Sequence, residues 1–327
     1  MADLKTKYMG LELDNPIVVA SSSLTKNIHG ILQARDAGAG AVVLKSIFEE
    51  QIAAQTDKVV GSSNIHFHAE AADYIREMSM SLGPHEYLEL IEKAKKETNI
   101  PIIASLNCVS PEWWVDYARD LSASGADALE LNISIMPSEA KRTSDEIEEL
   151  YIEIAGKVAG EIDIPVAVKL GPYFTSLGKL ATQLCKTGID ALVLFNRFYQ
   201  IDIDIDKMEL RPGYSFSSPE EYTLAMRWIA LLKDKIDCNL AATTGIHDST
   251  TAIKMLLAGA DIVEIASIIY QNGWAEISKM VDGISRWMDK NDFASIEDFR
   301  GKMSQLNNQN PEEYLRQQYI QLFVGIE

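Results

Sequence analysis

Basic side chains are scarce in this chain: 30 lysines and arginines stand against 48 aspartates and glutamates, a formal net charge of -18 over 327 residues. That surplus repels polyanions, so neither a nucleic-acid partner nor an anionic membrane surface is expected, although a local pocket for a small phosphate remains allowed. Cysteine is scarcer still. Cys108, Cys185 and Cys238 lie far apart in sequence, and an odd number without C-x-x-C fits a reducing compartment, here the cytoplasm, better than a disulfide framework. Long apolar runs are missing too. No window approaches 18 uninterrupted apolar residues, and Met1 to Gly10 has neither the basic nor the apolar region of a signal peptide, so no span or leader is expected. No Ser-His-Asp order or nucleophile elbow speaks for hydrolysis, and no third ligand stands at metal spacing from His66 and His68. Residues 202–206 alternate Asp and Ile, but Lys207 and Gly213 occupy the places where a calcium loop needs Gly and Glu. That alternation reads as a strand with one wet face.

What is present is a repeated short strand behind a small-residue turn. Gly38-Ala-Gly-Ala-Val-Val-Leu44, Gly125-Ala-Asp-Ala-Leu-Glu-Leu131, Gly188-Ile-Asp-Ala-Leu-Val-Leu194 and Gly259-Ala-Asp-Ile-Val-Glu-Ile265 each place Gly where a helix must end and a strand begins. Between them lie apolar runs at 16–20, 101–106, 165–170 and 238–243, three of them opened by proline, which a first strand residue tolerates. Residues 86–98, 113–124, 146–160, 219–235 and 249–258 read as amphipathic helices. Eight alternating βα units with apolar strands predict a parallel sheet closed into a TIM (β/α)8 barrel. A doubly wound open sheet is the alternative, weakened because no G-x-G-x-x-G follows the first strand. Insertions at 48–83 and 196–218 belong to the C-terminal face. The barrel is expected over 1–303, with a linker and helical tail over 304–327 that docks on the barrel or on a second subunit.

In such a barrel the chemistry sits where each strand stops. Those residues are Ser21 to Ser23, Lys45 with Ser46, Asn107, Asn132 with Ser134, Lys169, Asn196, Thr243 with Thr244 and Gly245, and Ser267. Two lysines at one mouth are costly unless something anionic lies between them, either a ligand or a nearby carboxylate. Thr243-Thr-Gly-Ile-His-Asp-Ser249 leads into a helix whose N-terminus can hold a phosphate, unless Asp248 or Ser249 merely caps it. The set suits FMN: phosphate at the last two strands, amides on the ring edge, and Lys169 opposite ring N1 and the C2 oxygen, where positive charge favours the anionic reduced form.

Residues 15–303 resemble the class 1 dihydroorotate dehydrogenases. The resemblance rests on Asn15-Pro-Ile-Val-Val-Ala-Ser21, Leu44-Lys-Ser46, Glu130-Leu-Asn-Ile-Ser134, Val168-Lys-Leu-Gly-Pro-Tyr-Phe174, Gly259-Ala-Asp261 and Ser295-Ile-Glu-Asp-Phe-Arg-Gly-Lys302. It implies an FMN enzyme of pyrimidine synthesis, in the homodimeric branch that uses fumarate as electron acceptor. By that resemblance Ala20, Ser21, Lys45, Ser46, Asn132, Lys169, Asn196, Gly245 and Ser267 line the FMN site. Lys45, Asn132 and Asn196 also reach the orotate ring. Three departures stand out. The family's Cys-Pro-Asn after Asn-x-Ser is replaced by Ile135-Met-Pro-Ser138, its substrate segment by Ser62-Ser-Asn-Ile-His-Phe-His-Ala69, and its Gly-Gly turn by Thr244-Gly245, with Arg197 after Asn196. Isoleucine takes no proton, so Ser134, Ser138, Glu139, His66 and His68 are the candidate bases, histidine having the best intrinsic pKa. Two other functions stay open: a Schiff-base lyase with Lys169 as nucleophile, and a flavin-binding homologue with another substrate or no dehydrogenase activity.

Overall fold

The computed structural model describes residues 2–49, 84–107, 111–135, 138, 140–197, 200–213 and 216–315. Eight parallel strands form its centre: β3 (Ile17–Val19), β4 (Ala41–Val43), β6 (Ile102–Asn107), β7 (Ala128–Asn132), β8 (Val166–Leu170), β9 (Ala191–Leu194), β12 (Asn239–Thr243) and β13 (Ile262–Ile265). Each pairs with the next, β4 with β6, and β13 returns to β3 with Val263 opposite Ile17, so the sheet closes. The expected TIM barrel is what forms. After a break at Leu44–Ser46 the second strand resumes as β5 (Ile47–Phe48), paired with the end of β6.

Strand alternation divides the core in two. One phase, including Ile17, Val42, Ala104, Leu129, Val168, Leu192, Ala242 and Val263, packs against the helices. The other phase fills the lumen with Val18, Ala41, Val43, Ile103, Ala128, Ala167, Ala191, Val193, Ala241 and Ile262. Five of these are alanines, which leaves room at the barrel floor. Tyr8, Met9 and Leu13 occupy it, carried by an N-terminal hairpin of β1 (Thr6–Tyr8) and β2 (Leu11–Leu13). Its turn, Met9–Gly10, has positive φ at both residues (51° and 74°), the hairpin geometry that matches strand twist. The Met9 N–H donates to Asn239 Oδ1 at 2.8 Å.

The helices start and stop as their sequences require. Thr143 and Glu146 form a capping box on Ser144–Ala159, and Asn27 caps Ile28–Asp36. All four repeat glycines have positive φ, from 87° at Gly38 to 121° at Gly259. Among the described residues no helix is long and apolar enough to cross a membrane.

Two expectations need correction. The long sequence interval hid the fact that Cys185, ending the helix Leu177–Cys185, and Cys238, just before β12, have Cα atoms 5.7 Å apart and form a disulfide. Sequence distance says nothing of distance across adjacent βα units. The alternating Asp-Ile run does form a strand, β10 (Gln200–Asp204), paired with β11 (Glu209–Gly213), but Ile203 and its partner Leu210 are 61% and 62% exposed, so both faces are wet. At the C-terminal end the Gln305 N–H donates to Ala230 O and the Ser304 hydroxyl to Asp234, so the chain remains attached to the barrel past residue 303. Residues 316–327 lie outside the described residues.

Candidate active site

The lumen phase continues upward into polar residues. Ile103 is followed by Ser105 and Asn107, Ala128 by Glu130 and Asn132, Ala167 by Lys169, Ala241 by Thr243, Ile262 by Glu264, Val18 by Ala20, and Val43 by Lys45. The strands thus turn from an apolar floor to a polar mouth within two residues. Ala20, Ser46, Lys169, Thr243 and Gly245 are buried there, while Ser21, Lys45, Asn107, Asn132, Asn196, Thr244 and Ser267 are half-buried. Asn196 Nδ2 donates to Asn132 Oδ1 at 2.8 Å, joining the fourth and sixth strand ends. A cavity of about 360 Å³ opens beside them, lined by Pro172, Tyr173, Phe195, Asn196, Thr243 and Thr244.

The lysines differ from expectation. Lys169 Nζ lies 2.8 Å from Glu264 Oε2, across the lumen, and 3.3 Å from Glu130 Oε1, on the neighbouring strand. Burial alone lowers the affinity of this ammonium for its proton, but the charges of Glu130 and Glu264 outweigh it and hold it well above the ordinary range. Of the two ways to relieve a buried cation, the carboxylate is the one used here, so Lys169 by itself demands no ligand. A lysine kept this firmly charged is also a poor nucleophile, which counts against a Schiff base. Lys45 is the opposite case, with its pKa lowered by burial and then by the like charge of Lys26.

Neither Glu130 nor Glu264 was singled out from sequence. The available signal was a glutamate at the lumen phase of an otherwise apolar strand, twice. A hydroxyl chain also went unseen: Ser21 Oγ and Ser46 Oγ are 3.0 Å apart, and Ser46 Oγ and Ser105 Oγ 2.8 Å. Ser105 is fixed by Tyr87, whose hydroxyl accepts from the Ser105 N–H at 3.0 Å.

At the last two strand ends, Thr244 and Gly245 have φ of 74° and 76°, and Thr244 Oγ1 donates to Phe195 O. Ser267 Oγ accepts the Ser217 N–H at 3.0 Å. The helix Ser249–Ala258 is capped by its own Asp248, which accepts the Thr251 N–H at 2.7 Å. A carboxylate at that N-terminus opposes an anion, so the phosphate expectation rests on the Thr244–Gly245 turn and not on the helix dipole. Ser134 is exposed, on a loop held by Tyr151, whose hydroxyl donates to Ile133 O and accepts from Ile135 N. Ser138 is exposed too. His66 and His68 lie outside the described residues, as does Glu139.

The sequence model described as dihydroorotate dehydrogenase matches residues 3–288. The chain belongs to the dihydroorotate dehydrogenase family. Three of its relatives bear the name dihydroorotate dehydrogenase B (NAD(+)), catalytic subunit. That of Thermoplasma acidophilum is 29% identical over 311 residues, covering 92% of this chain and 99% of the relative. That of Methanocella arvoryzae is 30% identical over 291 residues (86% and 91%), and that of Thermococcus kodakarensis 30% over 311 residues (92% and 98%). Their name is that of the NAD(+)-linked type and lends no support to the fumarate branch that the sequence resembles.

Dihydroorotate dehydrogenases are flavin-dependent oxidoreductases of CH–CH donors, so the mouth must be judged against a flavin. Its donor set fits. The described strand ends offer an ammonium, three amides, several hydroxyls and a turn of positive-φ backbone, which match ring carbonyls and a phosphate. The described carboxylates of the lumen lie one layer lower, engaged with Lys169.

Proposed function

We propose that the chain is an FMN-dependent dehydrogenase of dihydroorotate or a closely related small, anionic, cyclic substrate, acting in pyrimidine biosynthesis. The observation that carries the reading is the meeting of Lys45, the Asn132–Asn196 amide pair and the Thr244–Gly245 turn at one barrel rim, in a chain of this family. FMN is favoured among flavins because one phosphate cradle lies at the last strands and the sequence has no dinucleotide fingerprint after β3.

When bound, the flavin supplies a hydride acceptor at its N5. Lys45 offers its ammonium to the substrate carboxylate, and Asn132 and Asn196, which brace each other, hold the ring by its amide edge. Ala20, Ser21, Ser46, Asn107, Lys169, Thr243, Thr244, Gly245 and Ser267 would hold the cofactor. The proton that leaves the carbon next to the hydride donor needs a base. Isoleucine at 135 cannot serve, so His66 or His68 is assigned that role, with Ser134 as an unactivated hydroxyl alternative. The acceptor of the second half-reaction is small and diffusible, of the fumarate type, or NAD(+) through a second subunit as the relatives' names imply for them. Self-association as a homodimer is supported by the exposed apolar residues Ile201, Ile203 and Leu210 of the β10–β11 hairpin.

Purified protein should show a flavin spectrum, release FMN on denaturation, and bleach when dihydroorotate is added without oxygen. A colourless chain that takes up no FMN overturns the cofactor; bound FMN that dihydroorotate leaves oxidised overturns the substrate and favours the homologue without this activity. If the His66/His68 double substitution leaves single-turnover reduction unchanged, neither histidine is the base.

A further inference from the structure

The lumen under the mouth contains three charges where apolar packing would suffice. Lys169 sits between Glu130 and Glu264, and the three side chains are 9%, 2% and 1% exposed. Fully ionised, the trio encloses one net negative charge directly beneath a site built for a cofactor that becomes negative on reduction. Among the described residues two further polar atoms in the same space have no partner: Glu264 Oε1, and the Tyr8 hydroxyl rising from the barrel floor. A buried carboxylate oxygen with no donor is costly, and two carboxyls within reach of each other relieve that cost by sharing a proton. Glu130 stands within hydrogen-bonding reach of Glu264, and burial first and the charge of Glu264 second push it up to about 8, against the pull of Lys169. The other titratable groups facing the pair are Tyr8, held well above its ordinary range by burial and then by Glu264 and Glu130, with Asp261 and Asp190 behind it, and Tyr87, raised by burial beside Ser105.

A chain of hydroxyls runs from the strand beside Glu130 up to the rim. Ser105 is the register partner of Glu130 on the adjacent strand. From Ser105 the hydroxyls of Ser46 and Ser21 follow at 2.8 and 3.0 Å, and Ser21 is half-buried at the rim. A hydroxyl both donates and accepts, so the three form a continuous proton path.

We propose that Glu130 and Glu264 are a one-proton store beneath the flavin, filled through Ser21, Ser46 and Ser105, which gains its proton as negative charge appears in the site above. The inference rests on the flavin reading. The balance is simple: a solvent proton forms an O–H bond on the carboxyl pair, that bond breaks on reoxidation, and no electron enters or leaves the pair. The two electrons and the N5 proton of flavin reduction are accounted for separately. These residues hold a compensating proton and touch no substrate, so their role is a positioning one.

The test is a proton count. The flavin-loaded protein is reduced electrochemically in weak buffer containing an indicator dye. Between about pH 8 and 9 the natural chain should take up about one proton more per two electrons than Glu264→Gln, with Glu130→Gln as the substitute if that variant does not fold. Ser105→Ala should keep the count and slow the uptake. Equal counts in the natural chain and in the glutamine variant overturn the store. A second readout needs no flavin: carboxyl-carbon NMR of glutamate-labelled protein should show one glutamate titrating near 8 that is lost in either variant, and its absence overturns the shared proton. A chain that binds no flavin instead sinks the functional reading and the coupling with it, while the NMR titration still decides the pair.

Discussion

Replacing Lys169 by methionine keeps the stem in place and removes the charge between Glu130 and Glu264. At pH 7 the variant has two poor choices. It can bury an unpaired carboxylate, at a cost of about 3–5 kcal/mol for a broken buried pair, or it can protonate the second carboxyl as well. The second route is set by the pH: a glutamate's ordinary value is 4.5, and holding it protonated at pH 7 costs about 3.4 kcal/mol at ~1.36 kcal/mol per unit. The two figures agree, so Lys169→Met should lose about 3 kcal/mol of stability at pH 7. At pH 5 the same neutralisation costs only about 0.7 kcal/mol, so most of the loss should disappear. Urea unfolding of both proteins at the two pH values measures this. The difference between pH values is the decisive quantity, because a weakened cofactor would lower stability at both. A loss at pH 7 under about 1 kcal/mol, or one that is the same at pH 5, refutes the view that the lysine's work is to neutralise these two carboxylates.

The natural chain should itself become less stable as pH rises from about 4.5 to 8, because the folded pair keeps a proton that the unfolded chain releases; that stability is fully present below 4.5, and Glu264→Gln should flatten the slope in the same urea assay. Gly245→Ala should cost about 2 kcal/mol or more and reduce flavin content, since its φ is 76° and an added Cβ would lie 2.3 Å from Tyr222 N; normal melting and full flavin content would contradict this. Asp261→Ala removes the acceptor of Arg300 Nη1 (2.9 Å) and of the buried Leu240 N–H (2.7 Å), leaves Glu297 as the remaining carboxylate on Arg300, and should cost about 2–3 kcal/mol in urea unfolding. Lys26→Ala takes away one of the causes that lower Lys45, so the alkaline limb of anionic-substrate binding should move to higher pH; an unmoved or lowered limb would separate Lys45 from that binding.

Much of the fold can be read from local pattern. The glycines at 38, 125, 188 and 259 end helices because they take positive φ, and the apolar runs that follow them supply strands of the barrel. The strand ends brought to one rim are those the pattern places there, because parallel strands in a barrel all stop on the same side. The floor hairpin is less legible, since Tyr8 and Met9 look like any short N-terminal segment until the alanines of five strands leave space for them. Cys185 and Cys238 were misread for a related reason: a 53-residue separation carries no information about two neighbouring βα units.

The alternation of elements, the barrel they close into and the polar character of its mouth follow from the order of the amino acids alone, because each depends on periodicity and on residues adjacent in the chain. What Lys169 does is settled only when the chain has folded. Its partners stand 39 positions before it and 95 after it, and nothing local distinguishes a lysine awaiting a ligand from one already held by two acids. Closure of the sheet sets Glu264 across the lumen from Lys169, and enclosure then makes the charge of each group depend on the other two.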